Sequence, residues 1–330
     1  MDLAVVMICF GDRSWNEALD VVSAHGIHHV EPCSGGFFPK VHYEPQHLLT
    51  DAGERQAFER SLRERDLQIS CLSVCGNPLH PNRERAREAD EDFVATCRLA
   101  GELGVERIGV LSGCPAGAAD DETVNWITPV LSDDPYPDAL QALEWQWNEK
   151  AIPYWSKAAE VAKSCGVRLC MEPIAGNLVY DPASFERLRG AVGPTIGALF
   201  DPSHFFWMGF DIDGLVARFG DAIYYAHAKD VRIDPAAVGR DGLVPPVGYD
   251  QWDARPWMPR APGIGHPPDF WARYFTSLRG AGYDGPVAIE IEEPLLTVDD
   301  AISLSVAILS PLMPSGPPPS GNWFDVYAPS

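Results

Sequence analysis

Residues 168–201 read RLCMEPIAGNLVYDPASFERLRGAVGPTIGALFD, and the reading of this stretch decides the fold. It opens with a short apolar run, 168–173, that ends in Glu172-Pro173. A helical stretch follows at 182–192, closed by Gly193-Pro194; glycine is the usual residue just past a helix end. A second apolar run, 196–201, ends in Asp201. Two strand-length runs separated by one helix make a βαβ unit with parallel strands. Each strand finishes in a carboxylate at the same level.

The same alternation extends in both directions. Strands are expected at 3–9, 28–32, 68–74, 107–111, 168–173, 196–201, 223–227 and 287–291. Helices are expected at 15–25, 54–65, 84–103, 140–165, 182–192, 214–219, 268–280 and 298–312. Eight βα units in one chain predict a closed (β/α)8 TIM barrel. An open doubly wound sheet is the competing architecture, but no G-x-G-x-x-G follows an early strand. Helix-to-strand links are short and carry glycine, as at Gly26, Gly104, Gly166 and Gly220. Strand-to-helix links are long at 33–49, 112–138 and 230–266. In a barrel the long links all lie on the face where strands end, which is the active-site face. The barrel is expected to span 1–312, followed by a proline-rich tail at 313–330 whose Trp323, Phe324 and Tyr327 predict a docking segment.

The chain has 330 residues, 46% of them hydrophobic, and a formal net charge of −22, a field that repels a nucleic-acid backbone. No run reaches the roughly 18 apolar residues of a membrane helix. The eight cysteines form no C-x-x-C pair, and several sit inside apolar runs, so free buried thiols in a reducing cytoplasm are expected. The N-terminal MDLAVVMICF lacks a basic n-region and reads as a first strand rather than a signal peptide.

The four consecutive strands of the second half each end in a metal-capable residue: Glu172, Asp201, His227 and Glu290. Charges after apolar runs are costly unless paired or bound to a metal. Three carboxylates and one imidazole suit one hard or borderline divalent ion: Mn²⁺ first, then Mg²⁺, Co²⁺ or Zn²⁺. Around this set stand His204, able to face a substrate oxygen, add a metal contact or cap a turn, and His80, an acid/base or a loop histidine. Glu31, Lys229 and Arg232 are substrate-binding candidates. Glu31 can bind hydroxyls or neutralise Arg232 or Lys229, and Lys229 can stabilise an oxyanion or form a surface ion pair. Lys40 and His42 are rim candidates. Trp126, Trp207, Trp252 and Trp257 can stack on a sugar ring or anchor loops.

On the segments Gly76-Asn77-Pro78-Leu79-His80-Pro81, Phe200-Asp201-Pro202-Ser203-His204, His227-Ala228-Lys229-Asp230 and Ile289-Glu290, with the Glu172 strand, the chain resembles the xylose-isomerase-like barrel superfamily, in its sugar phosphate isomerase/epimerase branch. The resemblance spans roughly residues 1–312 and implies the same four metal ligands, with Glu172, Glu290, His204 and His80 as catalytic groups. It implies isomerisation or epimerisation of a keto-sugar through a metal-stabilised enediolate. The alternative it carries is a lyase that eliminates the aglycone from 3-keto-glycosides, as the catalytic subunit of a C-glycoside deglycosidase does with a small β subunit. Two positions depart from the branch: Glu172-Pro173-Ile174-Ala175 replaces Glu-Met-His-Pro, and Glu290-Ile291-Glu292 lacks a central histidine. No basic cluster for a phosphate stands out, so an unphosphorylated small carbohydrate is expected, with a homo-oligomer or a heteromer as the assembly.

Overall fold

The computed structural model describes residues 1–128, 137–244, 247–248, 251–314 and 316. Twelve strand segments occur among them: β1 (Leu3–Val6), β2 (His29–Glu31), β3 (Cys33–Gly36), β4 (Gln68–Ile69), β5 (Leu72–Cys75), β6 (Arg107–Leu111), β7 (Arg168–Glu172), β8 (Ile196–Phe200), β9 (Ile223–Ala228), β10 (Asp230–Ile233), β11 (Trp257–Arg260) and β12 (Val287–Ile289). Ten of them form one parallel sheet in the order β3-β5-β6-β7-β8-β9-β12-β1-β2-β4.

That order closes into a ring. β2 and β3 are halves of one strand interrupted at Pro32, which has no N–H to give the ladder. β4 and β5 are halves of the next strand. β2 pairs with β4 and β3 pairs with β5, so both ends of the order belong to the same two strands. The Ser70 N–H donates to the Val30 carbonyl and the Ser73 N–H to the Pro32 carbonyl, each at 3.0 Å, which carries the ladder across the interruptions. The result is the eight-stranded TIM barrel the sequence predicts.

Side chains alternate across each strand. Ala4, Val6, Cys33, Cys71, Cys170, Leu199, Tyr225 and Ala288 turn inward and fill the barrel as their own cluster. Their neighbours, such as Leu3, Val5, Leu169 and Met171, turn outward under the helices and join the main core with Trp155, Trp271 and Phe275. Each large side chain buried there contributes about 1.5–3 kcal/mol.

The helices Pro182–Val192 and Pro268–Gly280 match their predicted spans. The helix expected at 140–165 is in three parts: Pro137–Trp145, a wide π-helical turn Gln146–Ala151, and Ile152–Ser164. Pro153 lacks the N–H that a regular α-turn needs there. Buried Gln146 uses the wide turn to donate from Nε2 to the carbonyls of Ala116 and Asn125, at 2.9 and 2.6 Å.

The long loop after β9 holds structure absent from the sequence reading. β10 and β11 pair antiparallel, Asp230 opposite Arg260. At the neck, the fully buried Asp230 carboxylate accepts from the N–H groups of Gly263, Gly265 and His266, each at 3.0 Å, and lies 2.7 Å from His266 Nδ1. Only glycine fits at 265, because a Cβ there would meet the Val231 carbonyl and Asp230 Oδ1. The predicted tail residues Trp323, Phe324 and Tyr327 lie outside the described residues.

Candidate metal centre

Strand alternation builds the centre. Each of the four residues stands two positions beyond an interior one: Cys170 then Glu172, Leu199 then Asp201, Tyr225 then His227, Ala288 then Glu290. The strands β7, β8, β9 and β12 are neighbours in the ring. Their four side chains therefore converge on the barrel axis, just above the interior layer. One ligand atom from each lies within 4.8 Å of every other, and all four residues are buried.

Two of these atoms are left without a hydrogen bond among the described residues: Asp201 Oδ2 and His227 Nδ1. Buried polar atoms are almost always satisfied, and here the neighbours of both are other ionisable groups of the same cluster, His204 at 3.3 Å from Asp201 Oδ2 and Glu290 Oε2 at 3.0 Å from His227 Nδ1. Three carboxylates and one imidazole supply the donors a hard or borderline divalent cation takes, so the residues present fit such an ion.

The surrounding groups complete the electrostatics. Glu31, at 0% exposure, stands behind His227, with Oε2 2.9 Å from Nε2. Its other oxygen accepts a short hydrogen bond from the Ser73 hydroxyl. A carboxylate on the far nitrogen fixes the tautomer, leaving Nδ1 to face the cluster. His204 Nε2 lies 3.1 Å from Glu172 Oε1 and 3.3 Å from Asp201 Oδ2. Buried Lys229 places Nζ 3.1 Å from Glu290 Oε1 and 2.9 Å from Glu292 Oε1.

These contacts compete with burial. Burial pushes the His227 and His204 imidazoles down, but the facing carboxylates outweigh it and hold both above the usual histidine value, His227 well above. Burial pushes Glu172 and Glu290 up; their histidine partners, and Lys229 beside Glu290, more than reverse this, so both stay low. Asp201 goes the other way: burial raises it, and His204 and Lys229 do not compensate. The carboxylates thus favour the charged form of both imidazoles, and the imidazoles favour the charged form of Glu172 and Glu290.

The structure brings Glu172, Asp201, His227, Glu290, His204, Lys229 and Glu31 together. Glu31 reaches the centre as the backing of a histidine. His80 is elsewhere: it lies two residues before Asn82, the cap of the helix Arg83–Leu103, where its Nδ1 accepts from the Asn82 N–H at 2.9 Å, and it lines a neighbouring cavity of about 590 Å³. Arg232 is exposed on β10 and does not line the metal cavity. Lys40 is held by Asp92 and Glu44 at 2.6 and 3.1 Å, and His42 packs on Trp15. Trp126 makes an edge contact with Tyr180. Trp207 and Trp257 stack on each other.

Sequence reasoning missed Ser73 and Glu292. Glu292 had a signal, since it continues the face of Glu290 two residues on. Ser73 had none, because its partner is 42 residues away. All eight cysteines are free, six of them buried. Burial pushes the Cys9 and Cys114 thiols up to about 12, which makes them packing groups.

A parallel eight-stranded barrel whose last four strands bring three acids and a histidine together defines a class: a TIM barrel with a cluster at its mouth that could hold a metal ion. The chain belongs to the family described as xylose isomerase-like TIM barrel, which it matches over residues 19–308. It is 35% identical over 311 residues to the uncharacterized protein YfiH of Bacillus subtilis (strain 168), covering 94% of this chain and 98% of that one. It is 29% identical over 157 residues to an inosose dehydratase of Geobacillus kaustophilus (strain HTA426), covering 47% of this chain and 48% of the relative. Among solved structures, the IOLI protein with a zinc atom bound superposes with a TM-score of 0.63 at 16% identity, over 95% of this chain and 99% of that one; this likeness shows the fold. No described helix is long and apolar enough to cross a membrane.

Proposed function

We propose that the protein is a divalent-metal-dependent enzyme that moves a proton next to the carbonyl of a keto-sugar or sugar-like substrate, as an isomerase or epimerase. The buried quartet Glu172, Asp201, His227 and Glu290, with one ligand atom from each within 4.8 Å of the others, carries this reading. When bound, the ion (Mn²⁺ first for this donor set, with Mg²⁺, Co²⁺ or Zn²⁺ also suited) polarises the carbonyl and neutralises charge on adjacent oxygens.

Glu172 and Glu290 come from strands separated by β8 and β9, so they face the centre from different sides. One carboxylate oxygen takes the carbon-bound proton, and the other carboxylate returns a proton from its own side. Return to the opposite face of the same carbon epimerises; return to the neighbouring carbon isomerises. His204 Nε2, against Glu172 Oε1, holds a proton that can be passed to a substrate oxygen. Lys229 Nζ, against Glu290 Oε1, keeps positive charge where negative charge develops. Glu31 and Ser73 orient His227. His80 and Arg232 are assigned outer contacts to the substrate, His80 through the adjoining cavity.

A second reading, elimination of a β-substituent after the same proton abstraction, is favoured by the similarity to inosose dehydratase; release of an aglycone from a 3-keto-glycoside belongs to this reading. The free, mostly buried cysteines support a reducing cytoplasmic setting. A barrel spanning 1–312 with a docking tail at 313–330, in a homo-oligomer or with a small second subunit, is the proposed organisation.

The test is incubation of the Mn²⁺-loaded protein with a panel of ketoses and 3-keto-glycosides in D2O. Deuterium appearing at a carbon beside the carbonyl, lost in Glu172→Gln, supports the reading. Turnover with no solvent deuterium at any carbon overturns the proton-transfer step.

A further inference from the structure

The metal cavity does not end at the metal. It has a volume of about 230 Å³ and shares Ile174, His204 and Lys229 with a second cavity of the same size. The second cavity is walled by a preformed stack: the Trp207 and Trp257 rings lie 5.1 Å apart at 12°, and the Arg255 guanidinium sits 4.0 Å over Trp257. Ala175, Val231 and Leu243 complete much of the lining, and Val244, 65% exposed, stands at its edge.

The chemistry of the two compartments differs. Acids and a histidine crowd the first. In the second, polar side chains come from Ser203, His204, Lys229 and Arg255, and the rest of the wall is apolar or aromatic. A further sugar ring would bury several hydroxyls against that wall with few partners, which is costly. A flat apolar group loses nothing there and stacks on indole. The size agrees, since an apolar cavity of about 150 Å³ holds a benzene molecule.

We infer that the substrate is amphiphilic: a keto-polyol head at the metal centre, bearing a ring-sized apolar or aromatic substituent that fills the Trp207–Trp257 cavity. This rests on the proposed metal chemistry for the head and adds the class of the substituent. Ile174 lines both cavities and forms an apolar threshold between them, with Ala175 on the side of the second.

The experiment measures binding of methyl and phenyl glycosides of one 3-keto sugar to the full-length Mn²⁺-loaded protein by calorimetry. The phenyl compound is expected to bind on the order of tenfold tighter. Trp207→Ala should bring that ratio close to one while leaving methyl-glycoside affinity within about twofold. Val244→Asp, at an exposed position that does not threaten folding, should lower the ratio in the same direction. Equal affinities in the wild type overturn the inference, as does a ratio that both variants leave intact. A methyl compound that binds equally well without Mn²⁺ counts against the metal reading alone, since the phenyl-to-methyl ratio still decides the substituent.

Discussion

The two halves of the barrel mouth are built alike and furnished differently. The first half, β1 to β6, offers the metal cavity Val6, Cys33, Ser73, Cys75 and Leu111. The second half, β7, β8, β9 and β12, offers Glu172, Asp201, His227 and Glu290 at equivalent heights. One residue crosses the divide: Glu31, from β2, reaches His227. Charge is thus confined to one wall, with a nearly neutral wall opposite. Glu31 backs the charged wall from behind.

Substitutions should separate the halves by their effect on the metal. The largest effect is expected from Asp201→Asn or Glu290→Gln. Metal content measured by elemental analysis should fall from about one ion per chain to near zero. Turnover should drop by about a thousandfold or more, because the ion supplies several kcal/mol of stabilisation at about 1.4 kcal/mol per decade. Undiminished occupancy in either variant would erase the distinction between the halves.

Next comes Glu31→Gln. It keeps the shape and removes the charge behind His227, and should weaken metal affinity about 10- to 100-fold. Titration with a competing chelator reads this directly. An unchanged affinity would return Glu31 to the neutral half.

Acidity should act on the same wall. Glu31 and Glu290 raise His227 well above the usual histidine value against its burial, so metal binding is expected to displace a proton from it. Affinity should rise with pH through the neutral range by up to about tenfold per unit for each proton released, and level off above the raised His227 value. Calorimetry in buffers of different ionisation enthalpy counts the protons. No proton release at pH 7 would contradict the electrostatics described above.

The smallest effect on the metal is expected from Leu111→Ala in the first half. It should cost about 2–5 kcal/mol of folding stability in denaturant melts while leaving metal affinity within about twofold. A large loss of affinity would mean that the neutral wall also holds the ligands in place.

The sequence exposed the second half because an acid or histidine after an apolar run is unusual in itself, and four such endings at one level are visible without partners. The eight strands were legible from local patterning, with β6 matching residue for residue. Pairings across the ring were not. His227 and Glu31 are 196 residues apart, and nothing local to either names the other. The break at Pro32 was visible as a proline, but its continuation as Cys33–Gly36 was not, since Ser34-Gly35-Gly36 reads as a loop. The β10–β11 ribbon hid for a similar reason: Pro259 lies within β11, and proline argues against a strand except at an edge. His80 lies after a strand on the mouth side, and its contact with the Asn82 N–H and its place in the neighbouring cavity were not readable from local pattern.

Asp230 stands three residues beyond the ligand His227, so one strand end both fixes a ligand and ties off the long excursion that follows. Chain that leaves the barrel at 230 is returned by 266 to the same carboxylate. Between those points the excursion meets the rest of the barrel through the Trp257 stack on Trp207 and through Arg260, whose Nε donates to Glu293 Oε2 at 2.8 Å. Lengthening a loop whose ends are already joined costs only a logarithmic amount of entropy. A change in the length of the excursion is therefore expected to leave the carboxylate and imidazole cluster beneath it in place.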